Sequence, residues 1–86
     1  MGWRIELARS AAKQLAGLGT AENRRIVAFL KARALADPRQ VGKALTGPLG
    51  ELWRYRVGDY RIICEIQDAA LVVLVARIAH RREIYR

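Results

Sequence analysis

The hydrophobic pattern changes period shortly after the start of the chain. Residues 3–7 alternate apolar with charged side chains, which is typical of a half-buried strand. Apolar residues then recur at helical spacing over residues 8–18 and again over residues 21–36. Pro38 ends the second pattern, because a residue before proline disfavours helical backbone angles. The first half of the chain therefore predicts one strand followed by two amphipathic helices.

The second half is dominated by β-branched and aromatic residues. A connector over residues 38–50 contains two prolines and three glycines, and Gly58-Asp59 is typical of a two-residue hairpin turn. The strand patterns cover residues 52–57, 60–67 and 70–78. The order β-α-α-β-β-β predicts a single α+β domain over residues 1–86, with two N-terminal helices packed on one face of an antiparallel sheet.

Charge adds a prediction about partners. Sixteen Lys and Arg stand against eight Asp and Glu, and thirteen of the sixteen are arginine. The planar guanidinium matches the geometry of phosphate, so the excess favours a nucleic-acid partner over an ordinary solvated surface. Most of the surplus, six charges, lies in residues 1–49, where we assign it to docking on nucleic acid.

Several classes of protein are disfavoured. The longest apolar run, residues 69–76, is eight residues, whereas a membrane span needs about 20. The N-terminus lacks the apolar stretch of a secretory signal. With Cys64 and His80 as the single cysteine and histidine, neither an internal disulfide nor a His/Cys zinc site can form. We therefore expect a cytoplasmic protein without a metal, and we expect Cys64 to be buried.

The predicted hairpin gathers arginines on one face. Arg54 and Arg56 are two residues apart on a strand, and a two-residue turn places Arg61 directly opposite Arg56. Facing like charges are unfavourable by up to about 1 kcal/mol unless an anion lies between them. The cluster is therefore a candidate phosphate site, and the alternative is a face of solvated arginines.

These residues belong to a recognisable set of motifs. In chain order they are KALTG (43–47), LWRYR (52–56), GDYRI (58–62) and AHRREIYR (79–86). Together they resemble the RelE toxins of bacterial toxin–antitoxin modules, over nearly the whole chain. The resemblance implies a RelE-like microbial RNase fold and a metal-independent endoribonuclease without cofactors. Such toxins cut messenger RNA in the ribosomal A site, which inhibits translation.

The same resemblance implies partners. A small RelB-like antitoxin with an acidic region would bind and silence the toxin, and the antitoxin could link the complex to operator DNA. The ribosome and its messenger RNA would be the target. Lys43 and Arg82 are candidate RNA-binding residues.

Catalytic roles follow from the resemblance residue by residue. Arg61 and Arg81 would bracket the scissile phosphate, and Tyr85 would stack on a base or assist proton transfer. Arg54 and Arg56 stand where well-known members carry lysines. A guanidinium does not give up its proton at neutral pH, so a general base would have to come from elsewhere or the reaction would have to depend on positioning. His80 and Tyr85 are the main candidates, because an imidazole titrates near neutrality and a phenol could be activated by neighbouring arginines. Glu51 is a more remote candidate and could equally be a loop carboxylate.

Two other functions stay open at this point. The sister ParE group resembles this family in fold but inhibits DNA gyrase and generally lacks the tail at residues 81–85, which favours RNA cleavage here. A module that binds nucleic acid or the ribosome without catalysis would need the same arginines for phosphate contacts alone.

Overall fold

The computed structural model describes residues 2–45 and 52–84, and for residues 83 and 84 it describes the backbone alone. The predicted element order is confirmed, with a short strand and a terminal helix added. The elements are β1 Arg4–Leu7, α1 Arg9–Ala16, α2 Thr20–Phe29, a π-helical turn Leu30–Ala34, β2 Lys43–Leu45, β3 Leu52–Val57, β4 Tyr60–Gln67, β5 Val72–His80 and α3 Arg81–Ile84.

The strands form one mixed sheet in the order β1-β5-β4-β3-β2. Strands β2 to β5 are antiparallel as predicted, but β1 pairs with β5 in parallel, with Arg4 opposite Val72. The prediction of a wholly antiparallel sheet is therefore corrected at this edge. Alternation along a strand shows which residues share a face, and it carries no information about the direction of the neighbouring strand.

Helices α1 and α2 cover one face of the sheet and form the core with it. The helices contribute small and aliphatic residues at helical spacing, and the strands contribute alternate residues. Five of the buried core residues come from the helical layer, namely Ala11, Leu15, Ile26, Leu30 and Ala34, and they meet Tyr55, Val57, Ile62, Cys64, Val73, Val75 and Ile78 from the sheet. The two-layer α+β prediction is confirmed.

The predicted second helix is interrupted. Helix α2 ends at Phe29, and the π-helical turn that follows is marked by the Leu35 amide donating to the Leu30 carbonyl at 3.0 Å. Such turns insert one residue into a helix, which the apolar spacing does not show.

The connector contains β2, which the glycine and proline residues had concealed. Its start is fixed by two aromatic side chains: Tyr55 Oη donates to the Pro38 carbonyl at 2.6 Å, and Trp53 Nε1 donates to the Val41 carbonyl at 2.7 Å. Gly42 lies beside them at φ +85°, and a Cβ there would come within 2.4 Å of the Arg54 carbonyl. Glycine is therefore required at the entry to β2.

Strand β5 contains a bulge that sets the direction of its last side chains. Ile63 of β4 pairs with Arg77 and Cys64 pairs with Val75, so Ala76 is the extra residue. Two α1 side chains bind the backbone there: Ser10 Oγ donates to the Ala76 carbonyl at 3.2 Å, and Gln14 Oε1 accepts from the Ile78 amide at 2.8 Å. We name this feature the β5 bulge; bulges commonly redirect side chains next to functional sites.

The single cysteine is part of the core. Cys64 is fully buried, and burial raises the pKa of its thiol to about 12. The expected buried position is confirmed, and the thiol is protonated at neutral pH. Within the described ranges, no helix is long and apolar enough to cross a membrane.

Candidate nucleic-acid interface

The predicted hairpin register is confirmed. Val57 pairs with Tyr60 across the Gly58-Asp59 turn, and Arg56 pairs with Arg61. Gly58 adopts φ +60°, the left-handed conformation that such a turn requires. The predicted juxtaposition of Arg56 and Arg61 follows directly, because residues paired across an antiparallel ladder point to the same face.

The arginines lie on the face opposite to α1 and α2. Lys43 pairs with Arg54, and Arg54 with Ile63, so one row of side chains runs across β2, β3 and β4. A second row runs from Arg56 through Arg61 towards β5. We call this surface the cationic face and define it by Lys43, Arg54, Arg56, Arg61 and Arg77.

Arg77 is the one residue of the cationic face as defined above that was not predicted from the sequence. It extends the first row because it pairs with Ile63, and its side chain is exposed. Regular alternation from the buried Val75 would place Arg77 on the helix-covered face. The β5 bulge turns it outward. The nearest signal in the sequence is an arginine inside an otherwise apolar strand, which by itself does not indicate a bulge.

Arg61 is unusual among the cations because it is 5% exposed. Within the described residues it makes no salt bridge, and its side-chain hydrogen bond to the Tyr60 carbonyl is long, at 3.5 Å. A buried charge is stable only when it is paired or strongly hydrogen-bonded. With respect to the described residues, the guanidinium of Arg61 therefore has unused capacity to bind an anion, and exposed Arg56 stands opposite it.

Arg81 is placed at the tip of the hairpin by the turn into α3. Its amide donates to the Asp59 carbonyl at 2.7 Å, and its Nη1 lies 3.9 Å from Asp59 Oδ1. Both side chains are more than half exposed, so this ion pair is weak and can be replaced by another anion. The start of α3 is thereby fixed beside the turn that joins Arg56 to Arg61.

His80 lies on the other side of the sheet from the arginine row. It pairs with Tyr60, and the two rings meet edge to face with centroids 5.3 Å apart. Its Nδ1 accepts a hydrogen bond from the Arg82 amide at 3.2 Å, which is the contact of a helix-capping residue at the start of α3. In the neutral ring this contact keeps the proton on Nε2. The arrangement therefore favours a positioning role for His80 over that of a general base.

The remaining predicted site residues do not all lie on the cationic face. Lys43 is on the cationic face, on the outermost strand β2. Arg82 is exposed on α3. Tyr85 and Glu51 lie outside the described residues, as does the end of the KALTG motif from residue 46 onward. The structure thus brings Arg54, Arg56 and Arg61 together with Arg77.

Chemically, the arrangement is suited to a polyanion in an extended conformation. Adjacent strands are about 4.8 Å apart, so cations on β2, β3 and β5 are spread over a distance that spans more than one phosphate of a single strand. Each guanidinium can donate paired hydrogen bonds to two phosphate oxygens. Arg61 is buried, so its side chain has less rotamer freedom than the exposed donors Arg56 and Arg77.

Known proteins share this fold and sequence. The family model described as the ParE toxin of the type II toxin–antitoxin system, parDE, matches residues 5–85. Toxin RelG of Mycobacterium tuberculosis is 34% identical over 61 residues, covering 71% of this chain and 70% of the relative. Toxin RelE of the same organism is 31% identical over 84 residues, covering 98% and 87%.

Solved structures give the same grouping. The RelBE2 toxin–antitoxin complex of Mycobacterium tuberculosis contains a chain that superposes with a TM-score of 0.85 at 26% identity, covering 94% of this chain and all of that one. The intact Escherichia coli RelBE complex has a TM-score of 0.78 at 20% identity, covering 92% and 96%, and shows that the fold is shared. The matches in sequence and in fold together show that the chain belongs to the RelE/ParE family, the toxins of type II toxin–antitoxin systems.

Proposed function

We propose that the chain is a ribosome-dependent endoribonuclease that cleaves messenger RNA in the A site and thereby inhibits translation. The observation that carries the proposal is the buried Arg61, which has no acidic partner among the described residues and faces a second arginine. A fixed cation of this kind is suited to stabilising charge on a phosphate, because it costs no reorganisation during the reaction. The similarity to toxins named RelE and RelG supports the same assignment.

The chemistry uses the nucleophile that RNA carries. The 2′-hydroxyl oxygen attacks the adjacent phosphorus, its proton is lost, and the bond from phosphorus to the 5′-oxygen breaks as that oxygen takes up a proton. The products are a 2′,3′-cyclic phosphate and a 5′-hydroxyl. The protein's tasks are to hold the attacking and leaving oxygens in line and to neutralise the equatorial oxygens.

Each residue has a role in this scheme. Arg61 and Arg56 bind the scissile phosphate from one side, and Arg81 approaches it from the hairpin tip. Arg54 and Lys43 bind the neighbouring phosphates, and Arg82 contacts RNA from α3. A guanidinium donates protons in hydrogen bonds but does not accept them, so rate enhancement would come mainly from positioning and charge. Tyr85 is left as the candidate for proton transfer, while His80 holds the start of α3.

The decisive experiment maps cleavage on translated messenger RNA. Purified toxin is added to programmed ribosomes, the cut sites are mapped by primer extension, and the 3′ ends are tested for a 2′,3′-cyclic phosphate. We expect cuts within the A-site codon that are clearly weaker in Arg81→Ala. Cleavage without ribosomes would contradict the ribosome dependence. Uncut messenger RNA would contradict the nuclease proposal and leave gyrase inhibition or binding without catalysis.

Gyrase inhibition is the second candidate, because the matching family model is described by the ParE toxin. It predicts loss of DNA supercoiling by gyrase at toxin concentrations that leave translated messenger RNA intact. The presence of Arg81 and Arg82 on α3 favours RNA cleavage, and both assays run on the same preparation separate the two functions.

An antitoxin is the proposed partner. Solved neighbours are RelB–RelE complexes, which supports a RelB-like protein here. Beside the edge strand β1 there is an apolar cleft of about 370 Å³, lined mainly by Ile5, Leu7, Leu15, Val27 and Leu30. Leu7 is 38% exposed at this cleft. An amphipathic antitoxin segment fits it, and acidic antitoxin residues would cover the cationic face. Operator DNA would be bound through the antitoxin.

The antitoxin proposal is tested by two exposed leucines. Leu7→Asp should weaken capture of the co-expressed antitoxin at least about tenfold, because it places a charge in the apolar cleft. Leu71→Asp is the matched control, since Leu71 is equally exposed but is not among the cleft-lining residues. Unchanged capture by Leu7→Asp would place the interface elsewhere, and equal loss in both variants would show that the effect is not specific to the cleft. Hydrogen exchange over residues 80–86, with and without antitoxin, tests whether the partner also displaces the tail.

A further inference from the structure

A polar cleft lies on the helix-covered side of the hairpin tip, away from the cationic face. Its volume is about 400 Å³, within the range of small-molecule sites. Two elements of the helical and sheet layers meet there: α2 supplies Glu22 and Arg25, and the hairpin with the end of β5 supplies Gly58, Asp59, Tyr60 and His80. The proposed RNA-cleavage chemistry uses no side chain of α2.

In the part of the chain that the structure describes, the side-chain hydrogen-bonding groups that α2 brings to this cleft are unused. Glu22 and Arg25 are separated by less than one helical turn, yet within the described part of the chain neither forms a salt bridge or a side-chain hydrogen bond. The Arg25 guanidinium lies close to the turn, because a Cβ on Gly58 would be 2.9 Å from its Nη1. An acceptor and a bidentate donor therefore border the same space.

The other wall of the cleft is aromatic. Tyr60 and His80 form an edge-to-face pair with their ring centroids 5.3 Å apart, which fixes both rings. Fixed aromatic rings are the surfaces on which unpaired nucleobases stack. A phosphate is a poor occupant in comparison, because the carboxylates of Glu22 and Asp59 both border the cleft and repel anions.

From this combination we infer that the polar cleft is a nucleobase subsite for a base that carries both an amino and a keto group, which means guanine or cytosine. The Glu22 carboxylate accepts from the amino group, Arg25 donates to the keto oxygen, and the aromatic wall stacks on the ring. The inference deepens the proposed RNA cleavage by adding base selection near the cut. Arg81 connects the two sites, since its amide binds the Asp59 carbonyl at 2.7 Å.

The binding test uses nucleosides, which lack phosphate and so do not respond to the cationic face. Guanosine, cytidine, adenosine and uridine are titrated into the ¹⁵N-labelled protein, and the amide signals of Gly58 and Tyr60 are followed. Adenosine has the amino group without the keto group, and uridine the reverse. We expect guanosine or cytidine to bind at least about fivefold more tightly than adenosine and uridine. Equal shifts with all four nucleosides, or no shifts with any, would overturn the subsite.

The functional test compares three substitutions on α2. Glu22→Gln and Arg25→Gln should each reduce the base preference at mapped cut sites at least about fivefold, whereas Arg24→Gln, an exposed neighbour outside the cleft, should leave it unchanged. Unchanged preference in the first two variants would overturn the subsite while leaving the proposed cleavage intact. Selective nucleoside binding without any cleavage of messenger RNA would instead contradict the proposed function and retain the subsite.

Discussion

The two faces of the sheet hold their buried polar groups differently. On the helix-covered face, the hydroxyl of the fully buried Tyr55 donates to the Pro38 carbonyl at 2.6 Å. On the cationic face, Arg61 is almost as buried, yet it has no carboxylate partner among the described residues and makes one long hydrogen bond. Because the two residues lie on adjacent strands of one hairpin, the difference in their hydrogen bonding does not arise from a different position in the fold.

The comparison distinguishes a buried polar group that stabilises the fold from one that is available to bind a ligand. A satisfied buried hydroxyl contributes to stability, and removing it costs about 1 kcal/mol. A buried guanidinium without an acid lowers stability, because the charge has left water without compensation. An external anion bound to such a guanidinium would compensate its buried charge. The following experiments, ordered by expected effect, test whether that distinction is correct.

Arg61→Ala should have the largest effect on activity. We expect messenger RNA cleavage to fall at least about a hundredfold, as when one charge-stabilising donor is removed from an active site. The melting temperature should stay constant or rise, because the substitution removes a buried charge that has no acidic partner among the described residues. Arg33→Ala, at an exposed position of the π-helical turn, is the control for net charge. A drop in stability similar to that of a core mutant would mean that Arg61 is a structural residue.

Gly42→Ala should have the largest effect on the fold. The new Cβ would meet the Arg54 carbonyl at 2.4 Å in a left-handed backbone, so we expect a loss of about 2 kcal/mol and a melting temperature lower by about 10 °C. Gly19→Ala is the matched control, since a Cβ there meets nothing within 4 Å. Equal melting temperatures for the two variants would show that the entry to β2 adapts without cost.

Gln14→Ala tests the β5 bulge that turns Arg77 outward. The Ile78 amide would lose its acceptor, which costs about 1–2 kcal/mol in urea unfolding. Gln14→Glu retains an acceptor oxygen and should be milder. If both variants unfold at the wild-type urea concentration, the hydrogen bonds from α1 do not hold the bulge.

Substitutions of His80 distinguish a helix-capping role from a role in acid–base catalysis. His80→Ala should reduce cleavage about fivefold, in line with the ~1 kcal/mol value of a helix cap. His80→Asn should restore most of the activity, because asparagine caps helices well but does not transfer protons at neutral pH. An asparagine variant as inactive as the alanine variant would assign the imidazole a chemical role.

The smallest effect is expected at the exposed pair of Arg39 and Asp68. Two hydrogen bonds from Arg39, at 2.7 and 2.8 Å, lower the pKa of Asp68 below its usual range. A lowered pKa in the folded state adds stability above the unfolded pKa, and this is lost as the pH falls through the folded value. Asp68→Asn should therefore lower the melting temperature slightly at pH 7 and leave it unchanged in acid.

The elements that were predicted correctly are those that depend on residues close together in the chain. Strands β3 and β4 and the pairing of Arg56 with Arg61 depend on alternation and on one glycine turn, and both were predicted correctly. The parallel partner of β1 depends on contacts between residues far apart in the chain, for which no local pattern exists. Strand β2 was missed because three residues between glycine-rich segments carry too little periodicity.

The residues of the candidate site were likewise predictable only where the periodicity of a single strand places them. Arg54, Arg56 and Arg61 share a face by strand periodicity, so their clustering was predictable. Arg77 joins them through the β5 bulge, which depends on Ser10 and Gln14 in a helix that comes much earlier in the chain. The side of the sheet on which His80 lies depends on that bulge too. No pattern in one strand reveals a hydrogen bond supplied by another element.

Strand β5 is the last strand to be synthesised, and it lies between β1 and β4 in the sheet. A chain still attached to the ribosome can therefore form the β3–β4 hairpin early, while β1 waits for a partner near the other terminus. Contacts between such distant residues slow folding, because loop closure must come first. The start of α3, which carries Arg81, follows β5 directly. The sheet is therefore complete only after β5 has been synthesised, so the cationic face and Arg81 reach their final arrangement late in the translation of these residues.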